Sequence, residues 1–271
     1  MFGGTRVLIK GAGDLATGVA TRLHHASFKV AMTELGHPLA IRRTVAFAQA
    51  IYDGETTVEG LTACRVSDAA EVTTAWEKRW IPVMVDPEGK SVAELRPEVV
   101  VDAILAKRNL ATRIEDAPLV IGLGPGFAAG RDVHAVVETH RGHYLGRVLW
   151  TGSAQPDTGR PGSICGIGHE RVIYAPAAGT FVHSKVIGAA VNRGELVGWA
   201  SATPVVAPIA GVLRGLINDG VQVRSDMKIG DVDPRGVPDY CWKISDKALA
   251  VAGGVLEAIL VHLGRLPAER G

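Results

Sequence analysis

The feature that most constrains the fold is a glycine-rich stretch near the start of the chain, Gly11-Ala-Gly-Asp-Leu-Ala-Thr-Gly18. It follows a short apolar run, Val7-Leu-Ile9, and it opens a segment whose apolar residues recur at helical spacing. Another apolar run, Lys29 to Glu34, comes next. Strand, tight turn, helix and strand make a βαβ unit, in which a right-handed crossover joins two parallel strands. The start of the chain therefore predicts a parallel sheet covered by helices.

Three further apolar runs extend this pattern, at Ile81–Val85, Glu98–Val101 and Pro118–Ile121. Hydrophobic residues make up 47% of the chain and aromatic residues only 5%, so aliphatic side chains must dominate the core, as in sheets that are buried on both faces. We therefore predict an α/β fold class, with a Rossmann-like, mostly parallel sheet over residues 1–150 that binds a nucleotide or cofactor.

The pattern changes after Trp150. Residues 151–170 are rich in Gly, Pro and Ser and are predicted to form a linker. Beyond them, Ala175-Pro-Ala-Ala-Gly179 recurs as Ala207-Pro-Ile-Ala-Gly211, at an offset of 32 residues. Shared glycines between short β-branched segments indicate two similar sets of short strands. We expect a second, smaller all-β domain over residues 171–235.

This repeat resembles the two halves of a biotinyl/lipoyl-type domain, which is a barrel-sandwich. Carriers of that type hold a modified lysine at the hairpin between the halves, whereas the matching stretch Gly198–Val205 contains no lysine. The resemblance therefore implies the barrel-sandwich fold without a carrier lysine. After it, residues 240–265 predict a C-terminal helix that packs back on the α/β domain.

The glycine stretch has a specific chemical interpretation. Gly11, Gly13 and Ala16 fit G-x-G-x-x-[G/A], a pattern whose glycines allow a tight turn and let a pyrophosphate approach the backbone. Glu34, at the end of the next predicted strand, could accept a hydrogen bond from a ribose hydroxyl. Asp14 would repel a phosphate unless a cation lies beside it, and Arg42 and Arg43 could supply that charge. A plain glycine turn with Asp14 capping the helix is the alternative.

A second set of candidates lies further along the chain. Gly124 and Gly126 follow an apolar strand, where consecutive backbone amides could bind an anion. Asp102 also follows a strand, and the cations near it could bind a phosphate or a carboxylate. A turn and a surface salt-bridge cluster are the alternatives. The predicted cofactor-binding residues are Gly11, Gly13, Asp14, Ala16, Thr17, Glu34, Arg42, Arg43, Asp102, Lys107, Arg108, Asn109, Gly124 and Gly126.

Charge and cysteine usage exclude several classes of protein. The 29 basic and 28 acidic side chains leave a net charge of +1. A general nucleic-acid binder would carry a much larger excess of basic residues. The three cysteines are far apart in sequence and form neither a disulfide framework nor a zinc motif. No stretch is typical of a signal peptide or a membrane span. We expect a cytoplasmic protein with no metal site, and no residue is assignable as catalytic.

Several blocks together carry a family resemblance. They are Gly11–Gly18, Leu39–Thr44, Val101–Asn109, Ile121–Phe127, Asp132–His134, Val137–Thr139, Arg141–His143, Asp157–Gly159 and Ile244–Leu249. In this order they resemble the YqeB-type family of accessory proteins for selenium-dependent molybdenum hydroxylases.

The resemblance implies a maturation factor that binds the molybdenum cofactor or its nucleotide form and docks on the hydroxylase. The expected partners are thus this enzyme and a small phosphorylated cofactor. The chain could also associate with copies of itself as a homo-oligomer. Cys165, in the predicted linker, is the thiol to test for handling sulfur or selenium. An NAD-dependent oxidoreductase, with an NAD-type nucleotide as its cofactor, and a nucleotide-sensing binding protein are the alternatives.

Overall fold

The structure is a computed structural model that describes residues 4–159 and 161–265. Its largest element is a nine-stranded sheet, and five helices are present in the described chain. The strands of this sheet are β1 (Arg6–Lys10), β2 (Lys29–Glu34), β3 (Glu55–Val58), β4 (Leu61–Val66), β5 (Ile81–Val85), β6 (Val99–Asp102), β7 (Leu119–Leu123), β8 (Ala135–Val137) and β9 (Val148–Leu149). The helices are α1 (Asp14–His25), α2 (Ala50–Asp53), α3 (Ala69–Glu77), α4 (Ser91–Leu95) and α5 (Asp246–Arg265).

The sheet is mixed. Its strand order is β3-β4-β5-β2-β1-β6-β7-β8-β9, and the seven strands from β4 to β8 in this order run parallel. The two outermost strands, β3 and β9, each pair antiparallel with their neighbour. The central strands are buried on both faces, as the continuous burial of Val7, Leu8 and Ile9 shows. Such burial explains why these strands read as unbroken apolar runs.

Helices α1 and α5 pack together on one face of the sheet, and α3 covers the other face. The contact between α1 and α5 depends on Gly18, because a Cβ at this position would lie 2.8 Å from the Cβ of Ala248. The starts of the two helices therefore lie side by side. On the opposite face, Asp68 caps α3 by accepting hydrogen bonds from the amides of Ala70 and Glu71.

Eight short strands between residues 172 and 233 form two antiparallel sheets of four with a common core. They are β10 (Val172–Tyr174), β11 (Gly179–His183), β12 (Ala190–Val191), β13 (Leu196–Ala200), β14 (Thr203–Val206), β15 (Gly211–Leu216), β16 (Gln222–Val223) and β17 (Lys228–Asp233). The sheet orders are β10-β17-β15-β12 and β14-β13-β11-β16. Each sheet takes two strands from each sequence repeat, so neither repeat completes a sheet alone. We call strands β1–β9 with their helices the sheet lobe, and strands β10–β17 the β lobe.

The predicted fold class is wrong. The structure has a mixed nine-stranded sheet and two separate antiparallel sheets, not a Rossmann-like sheet joined to a barrel-sandwich. The hairpin of β3 and β4 adds an antiparallel edge to the sheet. In addition, no α-helix lies between β6 and β8, so the alternation of strands and helices on which the prediction relied stops after β6. The strand order itself is set by pairing between segments that are distant in sequence, such as β5 between β2 and β4.

Candidate functional site

The first glycine loop lies at the carboxyl end of β1, between β2 and the segment after β6. Gly11 has a φ of +93°, and a Cβ there would lie 3.0 Å from the carbonyl oxygen of Ala103. Its amide donates to the carbonyl oxygen of Thr33 at 2.9 Å. The next amide, of Ala12, donates to Oε1 of Glu34 at 3.3 Å. The tight turn therefore requires glycine, and two of its amides already have partners within the protein.

The start of α1 is built around this loop. Gly13 is the N-cap residue, with an extended backbone, and Asp14 is the first helical residue. Ala16 and Thr17 are buried. The hydroxyl of Thr17 accepts a hydrogen bond from the amide of Phe47 at 2.8 Å, which places Thr17 in the core and not at a ligand surface.

Glu34 lies where the sequence predicts a ribose acceptor, but its carboxylate bonds to the protein. Its Oε2 accepts from the amide of Leu35 at 2.6 Å, and its Oε1 accepts from Ala12. Burial raises the pKa of Glu34, although both amide hydrogen bonds oppose this shift. No cationic side chain forms an ion pair with Glu34 in the described residues. A ribose would therefore compete with main-chain donors for this carboxylate.

The two predicted arginines contact the β lobe and the segment after it. Arg43 donates from Nε to the carbonyl oxygen of Leu216 at 2.7 Å and from a terminal nitrogen to Oδ1 of Asn218 at 2.8 Å. Burial lowers the pKa of Arg43. Arg42 donates to the carbonyl oxygens of Tyr240 and Lys243 at 3.2 and 3.0 Å. The guanidinium of Arg43 therefore joins the two lobes and is not free to bind a phosphate, so its predicted role as a phosphate ligand is wrong.

Arg42 has a second role, because it is also the cation that Asp14 requires. A terminal nitrogen of Arg42 lies 3.4 Å from Oδ2 of Asp14. This pair borders a group of charged side chains between the lobes, which we call the interlobe cluster. Its members are Asp14, Arg42, Arg171, Arg214, Lys228, Asp231, Asp233 and Arg235.

The β lobe supplies most of the interlobe cluster from the face of the β10-β17-β15-β12 sheet. Arg171 pairs with Asp231 at 2.6 Å, and Arg235 pairs with Asp233 at 2.6 Å. Arg214 lies 3.8 Å from Asp233. Because burial and the charge of Arg42 disfavour a further cation, the pKa of Arg214 is lowered. Five cations face three carboxylates, so the cluster carries an excess of two positive charges.

The second predicted glycine loop, which contains Gly124 and Gly126, forms one wall of a separate cleft. A side chain at Gly124 would collide with the hydroxyl of Thr139, and a Cβ at Gly126 would lie 2.7 Å from the backbone of Arg108. The loop borders a cleft of about 210 Å³, lined by Pro125, Thr139, His140, Arg141, Gln155, Pro156, Asp157, Thr158, Gly162 and Lys247. Lys247 lies in the first turn of α5, and burial lowers its pKa.

The predicted polar cluster around Asp102 divides into two parts. Asp102 is buried and accepts a hydrogen bond from the hydroxyl of Thr112 at 2.6 Å; its burial raises its pKa. Asn109 closes the local turn by bonding to the backbone of Thr112. Lys107 instead pairs with Asp157 at 2.6 Å, at the rim of the smaller cleft. Arg108 contributes its backbone to the contact with Gly126.

A larger cleft of about 800 Å³ lies beside Asp102, with Lys10, Thr112 and Asp116 among its lining residues. The ammonium of Lys10 donates to Thr112 and to Asp116, at 2.9 Å in both cases. The charges of Lys10 and Asp116 are thus paired with each other within the protein. We take the interlobe cluster as the candidate site because it joins the predicted residues Asp14 and Arg42 and has an excess of positive charge.

Sequence reasoning found only two members of the interlobe cluster, Asp14 and Arg42. It missed the residues of the β lobe, although β17 carries a signal. Asp231 and Asp233 are two residues apart in a strand and therefore share one face. Two acids on one face of a strand indicate a buried polar interface.

In residues 4–159 and 161–265, no group of three or more His, Cys, Asp or Glu side chains is placed to hold a metal ion. The same part of the chain contains no helix long and apolar enough to cross a membrane.

Comparisons with solved structures give only remote likenesses. A succinylglutamate desuccinylase/aspartoacylase from Rhodobacter sphaeroides is 14% identical, with 84% of this chain and 85% of that chain covered and a TM-score of 0.27. The product-bound ectoine utilization protein EutE (DoeB) from Ruegeria pomeroyi is 12% identical, with the same coverage of both chains and a TM-score of 0.26. Likenesses at this level carry no argument about this chain.

Comparison with curated sequences is more informative. No family model matches the chain. The Escherichia coli (strain K12) protein named "Uncharacterized protein YqeB" is 53% identical over 260 residues, which are 95% of this chain and 48% of that protein. The chain thus spans about half the length of the curated relative that it matches. The similarity to that protein extends through almost the whole of this chain.

Proposed function

We propose that this chain binds a phosphorylated small-molecule cofactor between its two lobes, as an accessory protein in the maturation of selenium-dependent molybdenum hydroxylases. The observation that carries the binding role is the excess of two positive charges in the interlobe cluster. The accessory role is supported by the YqeB-type resemblance. The proposal concerns only this chain, which spans about half the length of the Escherichia coli protein that it matches.

The position of the interlobe cluster suits a phosphate. Asp14 begins α1 at the carboxyl end of β1, and ligands of α/β sheets bind at this edge. The start of α5 lies beside it, so two helices present the positive ends of their dipoles to the same region. Arg42, Arg171 and Arg214 add guanidinium groups, which match the geometry of phosphate oxygens. These features favour an anionic ligand over a neutral one.

An NAD-type nucleotide is the second candidate ligand. The Gly11 turn and the place of Glu34 at the end of β2 favour it, and it would make the chain an oxidoreductase or a nucleotide sensor. The hydrogen bonds from Ala12 and Leu35 to Glu34 count against it, since a ribose must displace or share them. The phosphorylated cofactor of the first proposal requires no change at Glu34.

Native mass spectrometry of the chain, purified from a host supplied with molybdate and selenite, tests the proposal. We expect a bound mass that matches a pterin–molybdenum species and disappears on denaturation. Arg42→Gln should lose this mass, whereas Arg193→Gln, at an exposed position of the β lobe, should keep it. A bound mass that matches NAD would favour the alternative. Retention of the pterin species by Arg42→Gln would move the site away from the interlobe cluster.

Docking on the target enzyme requires its own test. The purified chain should co-elute with a selenium-dependent molybdenum hydroxylase on size-exclusion chromatography when the hydroxylase lacks its cofactor. It should co-elute less with the cofactor-loaded enzyme, because delivery is then complete. Equal elution of the chain with and without either form of the enzyme would contradict the accessory role.

A further inference from the structure

One polar row crosses the face of the large sheet that α3 covers. Thr33, Lys10 and Asp102 are paired neighbours on β2, β1 and β6. Residues two apart in a strand share a face, and the residues two positions before the row belong to the core on the α3 side: Ala31, Leu8 and Val100. Asp14 of the interlobe cluster begins α1 on the opposite face. The polar row and the interlobe cluster are therefore separate places in the fold.

The larger cleft, of about 800 Å³, opens over this row, with Lys10 and Thr33 among its lining residues. Between β6 and β7 the chain forms a loop with a short 3-10 turn and no α-helix, and this loop supplies one wall of the cleft. Clefts that bind small molecules have volumes of about 300–1,000 Å³. The cleft is therefore large enough for a small organic ligand.

The loop between β6 and β7 makes its wall of the cleft apolar. Ile104 and Leu110 line the cleft, and they are 44% and 47% exposed. Ala111 has a φ of +81°, a left-handed conformation that is unfavourable for a residue with a side chain. Asn109 fixes this turn, because its side chain donates to and accepts from the main chain of Thr112. The turn thus holds two large apolar side chains at the surface of the cleft, where a ligand would cover them.

Two hydrogen-bond donors remain available at the floor of the cleft. Thr33 is 5% exposed, and its hydroxyl has no hydrogen-bond partner among the described residues. This hydroxyl keeps contact with solvent, unlike the unpartnered buried atoms of the interlobe cluster. The ammonium of Lys10 has three donors and uses two of them, on Thr112 and Asp116. A hydroxyl and an N–H group can therefore both donate to a ligand oxygen.

The charges around the cleft are balanced. Lys10 pairs with Asp116 at 2.9 Å, with 12% and 8% of their side chains exposed. Burial raises the pKa of Asp102, which favours its neutral form. Arg96 and Glu115, exposed at the rim, carry opposite charges. A charged ligand would find no unpaired opposite charge at the floor, and burying a charge without a partner is costly. These features favour an uncharged ligand.

We propose that this cleft binds a small uncharged organic molecule with an apolar ring system and a carbonyl oxygen. The ring system lies against Ile104 and Leu110, and Lys10 and Thr33 donate to the oxygen. A carbonyl oxygen has two lone pairs, and paired strands lie about 4.8 Å apart, so one oxygen can accept from both neighbours. The site lies on the opposite face of the sheet from the interlobe cluster, and it does not depend on the proposed function.

Fluorescence titration of the full chain with prodan, 6-propionyl-2-(dimethylamino)naphthalene, tests this inference. The probe is uncharged, has two fused rings and one carbonyl group, and emits at shorter wavelength when it leaves water. We expect saturable binding of one probe per chain. Two comparison probes each change one feature: 2-(dimethylamino)naphthalene lacks the carbonyl group, and 8-anilinonaphthalene-1-sulfonate carries a negative charge. Both should bind at least about threefold more weakly, the effect of one hydrogen bond or more. No saturable binding of prodan, or equal affinity for either comparison probe, would overturn the inference.

A matched pair of leucine variants locates the probe. Leu110 and Leu39 are both 47% exposed, but only Leu110 is among the residues that line the cleft. Leu110→Asp places a charge on the apolar wall and should weaken prodan binding about tenfold. Leu39→Asp should leave the affinity unchanged. An equal loss in both variants, or no loss in Leu110→Asp, would place the probe outside the cleft and contradict the inference.

A threonine variant tests the hydrogen bond to the carbonyl oxygen. Thr33→Val removes a hydroxyl that has no partner in the protein, so the fold should be retained. It should weaken prodan binding by a factor of about three to ten and leave the affinity for 2-(dimethylamino)naphthalene unchanged. Thr203→Val, on β14 of the β lobe, is the control and should change neither affinity. Unchanged prodan affinity in Thr33→Val, or the same loss for both probes, would rule out the proposed contact.

Discussion

Arg43 donates a hydrogen bond from Nε to the main-chain carbonyl oxygen of Leu216, and the two atoms lie 2.7 Å apart. This bond joins the sheet lobe to the β lobe. A terminal nitrogen of Arg43 also bonds to Asn218, whose amide donates to Oε1 of Gln49 at 2.9 Å. The lobes are therefore connected by a small polar network close to the interlobe cluster.

Arg43→Ala should destabilise the protein through this network. The substitution leaves the carbonyl of Leu216 without its charged donor, and hydrogen bonds to charged groups contribute about 1.5–3 kcal/mol each. We expect the free energy of unfolding in urea to fall by about 2 kcal/mol. Arg193→Ala, at an exposed position, is the control and should change it by less than about 0.5 kcal/mol. Equal losses in both variants would show that the bond to Leu216 contributes little.

Two adjacent glycines of α5 form a natural matched pair. A Cβ on Gly253 meets no atom within 4 Å. On Gly254 it would collide with the carbonyl oxygen of Gly146 and lie 2.8 Å from Cγ1 of Val137. Gly253→Ala should therefore stabilise the protein by up to about 1 kcal/mol, the gain in helix propensity. Gly254→Ala should destabilise it by about 1–3 kcal/mol through overpacking. Thermal unfolding of both variants checks the expected opposite signs.

The three cysteines should differ sharply in reactivity. Cys165 is exposed, whereas Cys64 and Cys241 are buried, and burial raises the pKa of both buried thiols. Since the thiolate is the nucleophile, a raised pKa leaves less of the reactive form at pH 8. Ellman's reagent should modify one thiol per native chain rapidly and all three after denaturation. Cys165→Ser should abolish the rapid phase; a rapid phase that survives would place the accessible thiol elsewhere.

We expect Asp246 to contribute to the stability of the folded protein in a pH-dependent way. The hydrogen bond from Arg141 lowers its pKa from 3.8 to about 2, against the opposing effect of desolvation. Because the folded-state pKa is depressed, the contribution is complete above pH 3.8 and is lost as the pH falls towards 2. The side chain is 77% exposed, so solvent screening limits this contribution to less than about 1 kcal/mol. Asp246→Asn should be slightly less stable than the parent at pH 6.

The same comparison at pH 2 should show a reduced difference between Asp246→Asn and the parent. Arg141→Gln, which removes the cation instead, should reproduce the loss at pH 6. A difference of the same size at both pH values would mean that the pair with Arg141 does not cause it.

The sequence by itself determined the local structure around the first βαβ unit. The apolar runs of β1 and β2, the glycine turn and the helical spacing of α1 are properties of neighbouring residues, so their spacing predicts them. The offset of 32 residues likewise predicts two equivalent sets of strands, and β11 and β15 begin at equivalent glycines, Gly179 and Gly211. Glycines with positive φ at these turns make the repeat visible in sequence.

Only the tertiary structure decided the sheet topology and the membership of the interlobe cluster. The strand order of the large sheet, in which β5 lies between β2 and β4, depends on pairings between strands that local spacing does not specify. Its charge made Arg42 a candidate phosphate ligand and a candidate cation beside Asp14. The fold places it against Asp14, and it also sets Arg42 against the main chain near Tyr240, which the sequence does not indicate. Asp231 and Arg214 face this region because their strands pair across the lobe and pack against Ile41. Burial and charge pairing depend on distances between remote residues, and these distances exist only once the chain has folded.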